Sequence, residues 1–241
     1  MPTSTTTKTI TTTTKTAITT HFLMFVFIRF IIPYRESRKT TYKLRFYLIF
    51  MRLSTKDINR AVATLATGGI VVMPTDTVYG ILGSALDPKV VARIYRLRHR
   101  NPKKPMIVLI ANPMDIRRFE ITLNAHVQQA FRKYWPGKVS MVLPMKHREV
   151  GKDKFKYLHR GSKSIAFRMP RPLWLRRLLR ETGPLVAPSA NPKGKPAAKT
   201  IREARRSFGA GVDYYLDGGR RAGKPSLIID LQEKIPVVLR K

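Results

Sequence analysis

Gly68-Gly69-Ile70-Val71-Val72-Met73-Pro74-Thr75-Asp76-Thr77-Val78-Tyr79-Gly80 carries the reading that decides the fold. The glycine pair stops a helix before it: Ser54 is a cap, and Ile58, Ala61, Val62 and Leu65 follow at i, i+3, i+4 and i+7. Ile70 to Met73 is a short apolar run of strand type, fit for burial on both faces, and it runs into Pro74. Pro74 to Gly80 then reads as a loop that presents two hydroxyls and an aromatic ring. Helix, buried strand and polar loop in that order are the unit of an α/β protein.

The same alternation continues to the end of the chain. Asp87-Pro88 starts a helix with Val91, Ile94 and Tyr95, and Met106 to Ile110 is a second buried strand. Asn124 caps a helix through Val127, Ala130, Phe131 and Tyr134, which Pro136-Gly137 stops. Val139–Leu143 and Ser164–Arg168 read as strands, and Lys152–Lys163 between them as a polar, basic, mobile loop. Pro172 opens a helix through Leu175, Leu178 and Leu179, followed by a short strand, Leu185-Val186-Ala187. Thr200 with Glu203 predicts a capping box. Strands at Tyr214–Leu216, Leu227–Leu231 and Val237–Leu239 lack helices between the last two, so the sheet should be mixed. The expected fold is a twisted, open, mixed sheet with flanking helices, forming one domain over residues 51–241.

Residues 1–50 are a different kind of sequence. Residues 1–20 hold 12 threonines and no apolar period. Phe22 to Ile32 is apolar but interrupted by Arg29, too short for the ~20 residues that span a bilayer. Arg29 and the lack of a small-residue cleavage site also argue against a signal peptide. The expected explanation is an over-extended reading frame, with translation starting at Met51; an organellar transit peptide or an anchor are the other readings. The protein is expected to be cytoplasmic, with no membrane partner.

The chain carries 47 Lys+Arg against 14 Asp+Glu, a net charge of +33, and 39 basic against 13 acidic residues remain after Met51. A polyanionic partner is expected, because neutralising phosphates releases counterions. With no cysteine there is neither a disulfide framework nor a thiolate metal site, and the five histidines lack ligand spacing.

In open α/β sheets, ligands sit where strands run out into loops. Four loops share hydroxyls, small residues and arginine. Thr75 and Thr77 lie in the first. The second, Arg96 to Pro105, places Arg98 and Arg100 as a guanidinium fork for phosphate. Ser189 and Asn191 lie in the third, Ala187 to Asn191, and the fourth is Asp217-Gly218-Gly219 with Gly223 to Ser226 beyond it. No Walker loop, GxGxxG fingerprint or Ser-His-Asp set is present. The residues alone thus reach a basic, phosphate-binding α/β site.

Taken in order, the segments resemble the YrdC family of threonylcarbamoyl-adenylate synthases in its short, single-domain form. The resemblance rests on Gly68-Gly69, PTDTVYG (74–80), Arg98-His99-Arg100 with Pro105, and Trp135-Pro136-Gly137. It continues through Ala166-Phe167-Arg168-Met169-Pro170, PSAN (188–191) with Gly194 and Pro196, and Asp217-Gly218-Gly219. It implies a YrdC-like sheet with a basic concave face and a synthesis of threonylcarbamoyl-AMP and pyrophosphate from L-threonine, bicarbonate and ATP. Transferase proteins would then move the threonylcarbamoyl group to tRNA. By motif match, Thr77, Arg168 and Ser226 would hold threonine or its carbamate. Arg100, Lys104, Ser164, Ser189 and Arg240 would face ATP, with Asn191 in support and Arg98 assisting the phosphates. Mg2+ would come with ATP, no protein-bound metal is implied, and no acid or base is assigned.

Four positions depart from the family pattern: Arg98 for lysine, Leu109 for a histidine expected to contact threonine, Ser140 for threonine, and Ala197 for a hydroxyl. The alternative function is a catalytically altered relative that binds tRNA, double-stranded RNA or the ribosome. Carbamoyl-phosphate-linked chemistry, as in hydrogenase-maturation proteins, would call for acylphosphatase-like or zinc-finger segments, which the sequence lacks.

Overall fold

The computed structural model describes residues 53–121, 123–145, 153–233 and 235–240; the leader assigned to residues 1–50 lies outside them. The first helix, α1 (Thr55–Ala66), starts where Ser54 accepts the Asp57 N–H, and the chain turns at Gly68 with φ +79°. Strand β1 (Val71–Pro74) leaves that turn. Its residues alternate between two apolar layers, as a pleat requires: Ile70 and Val72 enter one, Val71 and Met73 the other.

Gly80 to Ser84 does not continue the loop. It belongs to β2 (Tyr79–Ser84), which folds back on β1 in antiparallel register, Met73 opposite Gly80 and Pro74 opposite Tyr79. The motif 74–80 is therefore the turn of a hairpin. The glycines disguised the strand, and each marks a close approach. A Cβ on Gly83 would strike Val90 Cγ1 and Ile94 Cδ1 of α2 (Pro88–Leu97). Gly83→Ala is expected to lower stability by about 1–3 kcal/mol through overpacking. Denaturant unfolding tests this, and an unchanged midpoint would mean that the helix moves aside.

The remaining elements are β3 (Ile107–Leu109), a 3-10 helix at Pro113–Phe119, α3 (Ala125–Tyr134), β4 (Val139–Pro144), α4 (Lys156–His159) and β5 (Ser164–Arg168). They are followed by α5 (Leu173–Thr182), β6 (Leu185–Val186), α6 (Ile201–Phe208), β7 (Tyr214–Tyr215), β8 (Leu227–Asp230) and β9 (Val237–Arg240). Among the described residues the sheet has nine strands in the order β7-β1-β2-β6-β3-β5-β4-β8-β9. It is mixed, as expected: β1–β7, β3–β5 and β4–β8 are parallel and the other pairs antiparallel. Leu65 of α1 and Leu175, Leu178 and Leu179 of α5 share one layer. Ile94 of α2, Phe131 of α3 and Phe208 of α6 share the other.

Two local expectations need correction, and one element was not foreseen. The segment read as a mobile loop contains α4, with Phe155, Leu158 and His159 buried; Lys152 itself lies outside the described residues. A polar, basic composition hid those three anchors. The 3-10 helix escaped because its signal is a cap, Asn112 with Asp115, without apolar period. At α6, Thr200 accepts the Glu203 N–H, but the Glu203 carboxylate takes the N–H of Lys199 rather than that of the cap. The box closes one residue early.

Asp213, just before β7, ties this edge together. Its carboxylate accepts both Arg93 Nη1 and Nη2 at 2.8 and 2.9 Å and the Ile70 N–H at 2.6 Å. The Arg93 bonds, with the Ile70 amide, hold its pKa below the ordinary value of 3.8. A carboxylate depressed in the folded state stabilises it above its unfolded pKa, and that contribution is lost as pH falls. The unfolding midpoint should therefore drop on acidification below about pH 4, and less steeply in Asp213→Asn. Equal slopes in wild type and variant would remove Asp213 from the account.

Candidate active site

The hairpin turn is built by one hydroxyl. Thr75 Oγ1 donates to the Val78 carbonyl at 2.7 Å, accepts the Thr77 N–H at 3.2 Å and lies 3.0 Å from Thr77 Oγ1. Thr75, Asp76 and Thr77 are all buried. Behind them Tyr79, fully buried, donates its hydroxyl to the Gly219 carbonyl at 2.8 Å and accepts the Gly218 N–H at 3.0 Å. Burial pushes the phenol up to about 12, with Asp217 adding to the shift. The Asp217-Gly218-Gly219 turn is thus a clamp on the hairpin. A Cβ on Gly223 would strike the Thr77 carbonyl, so the segment leading to Ser226 also lies close against this turn.

The third loop joins the second. Gly80 forms a β-bridge with Ser189, and the Ala190 N–H donates to the Tyr79 carbonyl at 2.8 Å. Arg98, at the end of α2, reaches this loop. Its Nε donates to the Asn191 carbonyl at 3.0 Å, and its Nη2 to Asn191 Oδ1 at 3.2 Å and Ser189 Oγ at 3.3 Å. Its Nη1 is buried without a partner. Burial, followed by repulsion from Arg100, lowers the Arg98 pKa to about 10. A guanidinium here spans Ser189 and Asn191 at once, which a single ammonium would do with poorer geometry.

Arg100 is fixed through Nε to the Lys104 carbonyl at 3.1 Å and Nη2 to the Pro105 carbonyl at 2.7 Å. Lys104 enters this arrangement by its carbonyl, which also accepts from Tyr95, while its side chain is exposed. Ser164 is buried at the start of β5, its hydroxyl donating to Ser162 Oγ at 3.3 Å.

The fourth group is Ser140, Ser226 and Arg240. The two hydroxyls meet at 2.9 Å, and Arg240 donates through Nε and Nη2 to the Ser226 carbonyl at 3.0 and 2.8 Å. Ser140 in place of threonine keeps the hydroxyl that this contact needs. Arg240 is lowered by burial and then by the charges of Arg168 and Arg100. Repulsion therefore links guanidinia from the loop after α2, the end of β5 and the end of β9. An anion arriving among them relieves that repulsion, which is the electrostatic character of a phosphate or carboxylate site.

Arg168 carries the pairing that sequence reasoning missed. Its Nη2 lies 3.2 Å from Asp76 Oδ1, with the two side chains 5% and 0% exposed. Burial lowers its pKa and Asp76 opposes that shift. Asp76 Oδ1 and Oδ2 and Arg168 Nε have no hydrogen-bond partner. The two residues are 92 positions apart, so only the presence of an acid inside a hydroxyl-rich motif hinted at the contact. Leu109, opposite Arg168 in register, is fully buried in the apolar layer with Leu175 and Leu185. Ala197 is half-buried.

The carboxyl ends of β1, β6 and β7 supply Thr77, Ser189, Asn191 and the 217–219 clamp, as expected. Ser164 and Ser226 instead lie at strand starts and Arg100 in the loop that follows α2, because a mixed sheet brings both kinds of strand end to one side.

Fold and site together define an open mixed α/β domain in which the guanidinia of Arg98, Arg100, Arg168 and Arg240 lie close enough to act on one another. The chain belongs to the Sua5/YciO/YrdC family: the family model, described as telomere recombination, matches residues 63–241. A Mycobacterium leprae relative is 35% identical over 189 residues, 77% of this chain and 82% of its own length. The threonylcarbamoyl-AMP synthase of Bacillus subtilis is 32% identical, covering 78% of this chain, which spans 54% of that longer protein. The structure of Pyrococcus abyssi Sua5 complexed with L-threonine superposes with a TM-score of 0.68 at 30% identity, covering 76% of this chain and 53% of that one. Among the described residues, no helix is long and apolar enough to cross a membrane.

Proposed function

We propose that this protein is an L-threonylcarbamoyladenylate synthase, a nucleotidyltransferase that condenses L-threonine, bicarbonate and ATP for threonylcarbamoyladenosine modification of tRNA in the cytoplasm. The observation that carries the proposal is the set of guanidinia at Arg98, Arg100, Arg168 and Arg240. Each is lowered by burial, and the Arg98–Arg100 and Arg240–Arg168/Arg100 repulsions add to it. Relatives named as threonylcarbamoyl-AMP synthases and the L-threonine complex of Pyrococcus abyssi Sua5 support the same reading.

Threonine amine and bicarbonate give a carbamate and water. A carbamate oxygen then attacks the α-phosphorus of ATP, the bond to the bridging oxygen breaks, and pyrophosphate leaves with the electron pair. The attacking oxygen is already anionic, so the chain's task is alignment and charge stabilisation rather than proton removal. Thr77, Arg168 and Ser226 would hold threonine or its carbamate. Arg98, Arg100, Lys104, Ser164, Ser189 and Arg240 would face the nucleotide, Asn191 bracing Arg98. Mg2+ would enter with the triphosphate, keeping phosphate and water oxygens as ligands and neutralising charge there. Among the described residues no cluster of three or more His, Asp or Glu gathers to hold a metal.

The test is pyrophosphate release by the full chain with ATP and Mg2+, which should require both threonine and bicarbonate. Release indifferent to threonine would overturn the proposal. A second reading, an RNA- or ribosome-binding relative, is favoured by one observation: Leu109, fully buried in the core, stands where the resemblance leads to the expectation of a threonine-contacting histidine. Tight tRNA binding without pyrophosphate release would select it.

A further inference from the structure

A cleft of about 540 Å³ opens beside the first turn of α6, between that helix and the 217–220 turn. Its charged lining is Arg202, Glu203, Arg206, Asp217 and Arg220. The two acids are already engaged by the protein. Glu203 accepts the Lys199 N–H at 2.7 Å, and the charge of Arg220 adds to the lowering of its pKa, which that amide dominates. Asp217 Oδ1 accepts the Gly219 N–H at 2.8 Å and lies 3.2 Å from Tyr79 Oη, which shares its one proton between this oxygen and the nearer Gly219 carbonyl. The three arginines are different. All are exposed, and among the described residues none has a hydrogen bond or a salt bridge, although Arg220 lies near enough to Glu203 for its charge to act there. Arg202 and Arg206 stand four residues apart, on one face of α6.

The helix adds to this surplus of donors. Thr200 takes the Glu203 N–H, which leaves the first-turn amides of Ile201 and Arg202, both on the cleft wall, without an intrahelical acceptor. A helix N-terminus attracts anions in its own right. Here it comes with a cavity of ligand size and three guanidinia with no protein acceptor.

We propose that this cleft is a second phosphate-binding site, distinct from the guanidinium site at Arg98, Arg100, Arg168 and Arg240. Its ligand chemistry is a phosphate dianion or a phosphodiester, gripped by Arg202, Arg206 and Arg220. The phosphate is either free or part of an RNA backbone. The cleft shares the Asp217–Gly219 wall with the Tyr79 hydroxyl, so it abuts the substrate-facing hairpin without supplying any of its residues. The inference does not depend on the synthase reading.

The test replaces Arg202, Arg206 and Arg220 together by glutamine, which keeps the stems and removes the charge. Association with a short RNA duplex is measured across a salt series, and binding of inorganic phosphate by calorimetry, on the full chain of each form. If the site takes backbone phosphates, RNA binding weakens at least about tenfold at low salt, and the log–log salt slope shrinks by roughly two to three, one for each lost contact. If it takes free phosphate, a binding component present in the wild type disappears while the RNA slope is unchanged. Both results support the cleft and tell the sources apart. No change in either measurement overturns it. Threonine-dependent pyrophosphate release should stay within about twofold of wild type, the size of an ordinary surface substitution, because none of the three arginines is among the substrate-facing residues, so failure of the synthase reading is seen separately.

Discussion

Arg100→Ala is expected to lower kcat/KM for ATP-dependent pyrophosphate release by about a hundredfold or more, the usual cost of removing one preorganised charge donor. The reason is the way the side chain is held. Two backbone carbonyls, of Lys104 and Pro105, fix Nε and Nη2, so the guanidinium is set before any substrate arrives. Burial lowers its pKa, and Arg240 feels its charge. A charge kept under those conditions is worth most when negative charge develops beside it. Arg100→Lys should recover only part of the rate, because one ammonium cannot hold both carbonyls and face a phosphate. Steady-state kinetics of the two variants check this, and an Arg100→Ala enzyme with wild-type kcat/KM would remove Arg100 from the site.

Asp76→Leu should be the most destabilising single change at the site. It leaves the Arg168 guanidinium buried without its counter-ion, a situation that costs about 3–5 kcal/mol. For a domain of this size that is on the order of ten degrees in Tm. Arg240 aggravates the loss, since its charge also acts on this neighbourhood. The double variant Asp76→Leu/Arg168→Leu should regain most of that stability, because removing both charges also removes the need to desolvate either. It should nonetheless be inactive if Arg168 receives threonine. Thermal unfolding of the single and double variants separates the two roles. A single variant as stable as wild type would show that the pair does not secure the hairpin.

What the sequence made legible follows from the range of the physics. Caps and apolar periods are local, and Ser54, Asp87 and Asn124 cap the helices expected of them. Strands buried on both faces, such as Val71–Met73 and Ile107–Leu109, show as plain apolar runs. Strand β2 was hidden because Gly80 and Gly83 are needed for close approach to the 75–78 turn and to α2, and glycine reads as a loop. The motif residues Arg98, Ser189 and Asn191 do meet, as their order suggested. The Asp76–Arg168 pair and the Tyr79 clamp on Gly218-Gly219 join residues far apart in the chain. No window of sequence contains both partners, so only the folded chain reveals them. The same holds for the cleft at α6, where local reading offered a capping box and the structure adds Arg220 from another segment.

The identity of the product decides whether the protein makes threonylcarbamoyl-AMP. Full-length protein incubated with ATP, Mg2+, L-threonine and isotopically labelled bicarbonate should yield pyrophosphate and an AMP adduct that carries both the label and threonine, detected by mass spectrometry. Pyrophosphate released without a labelled, threonine-containing adduct, or none released at all, would contradict it.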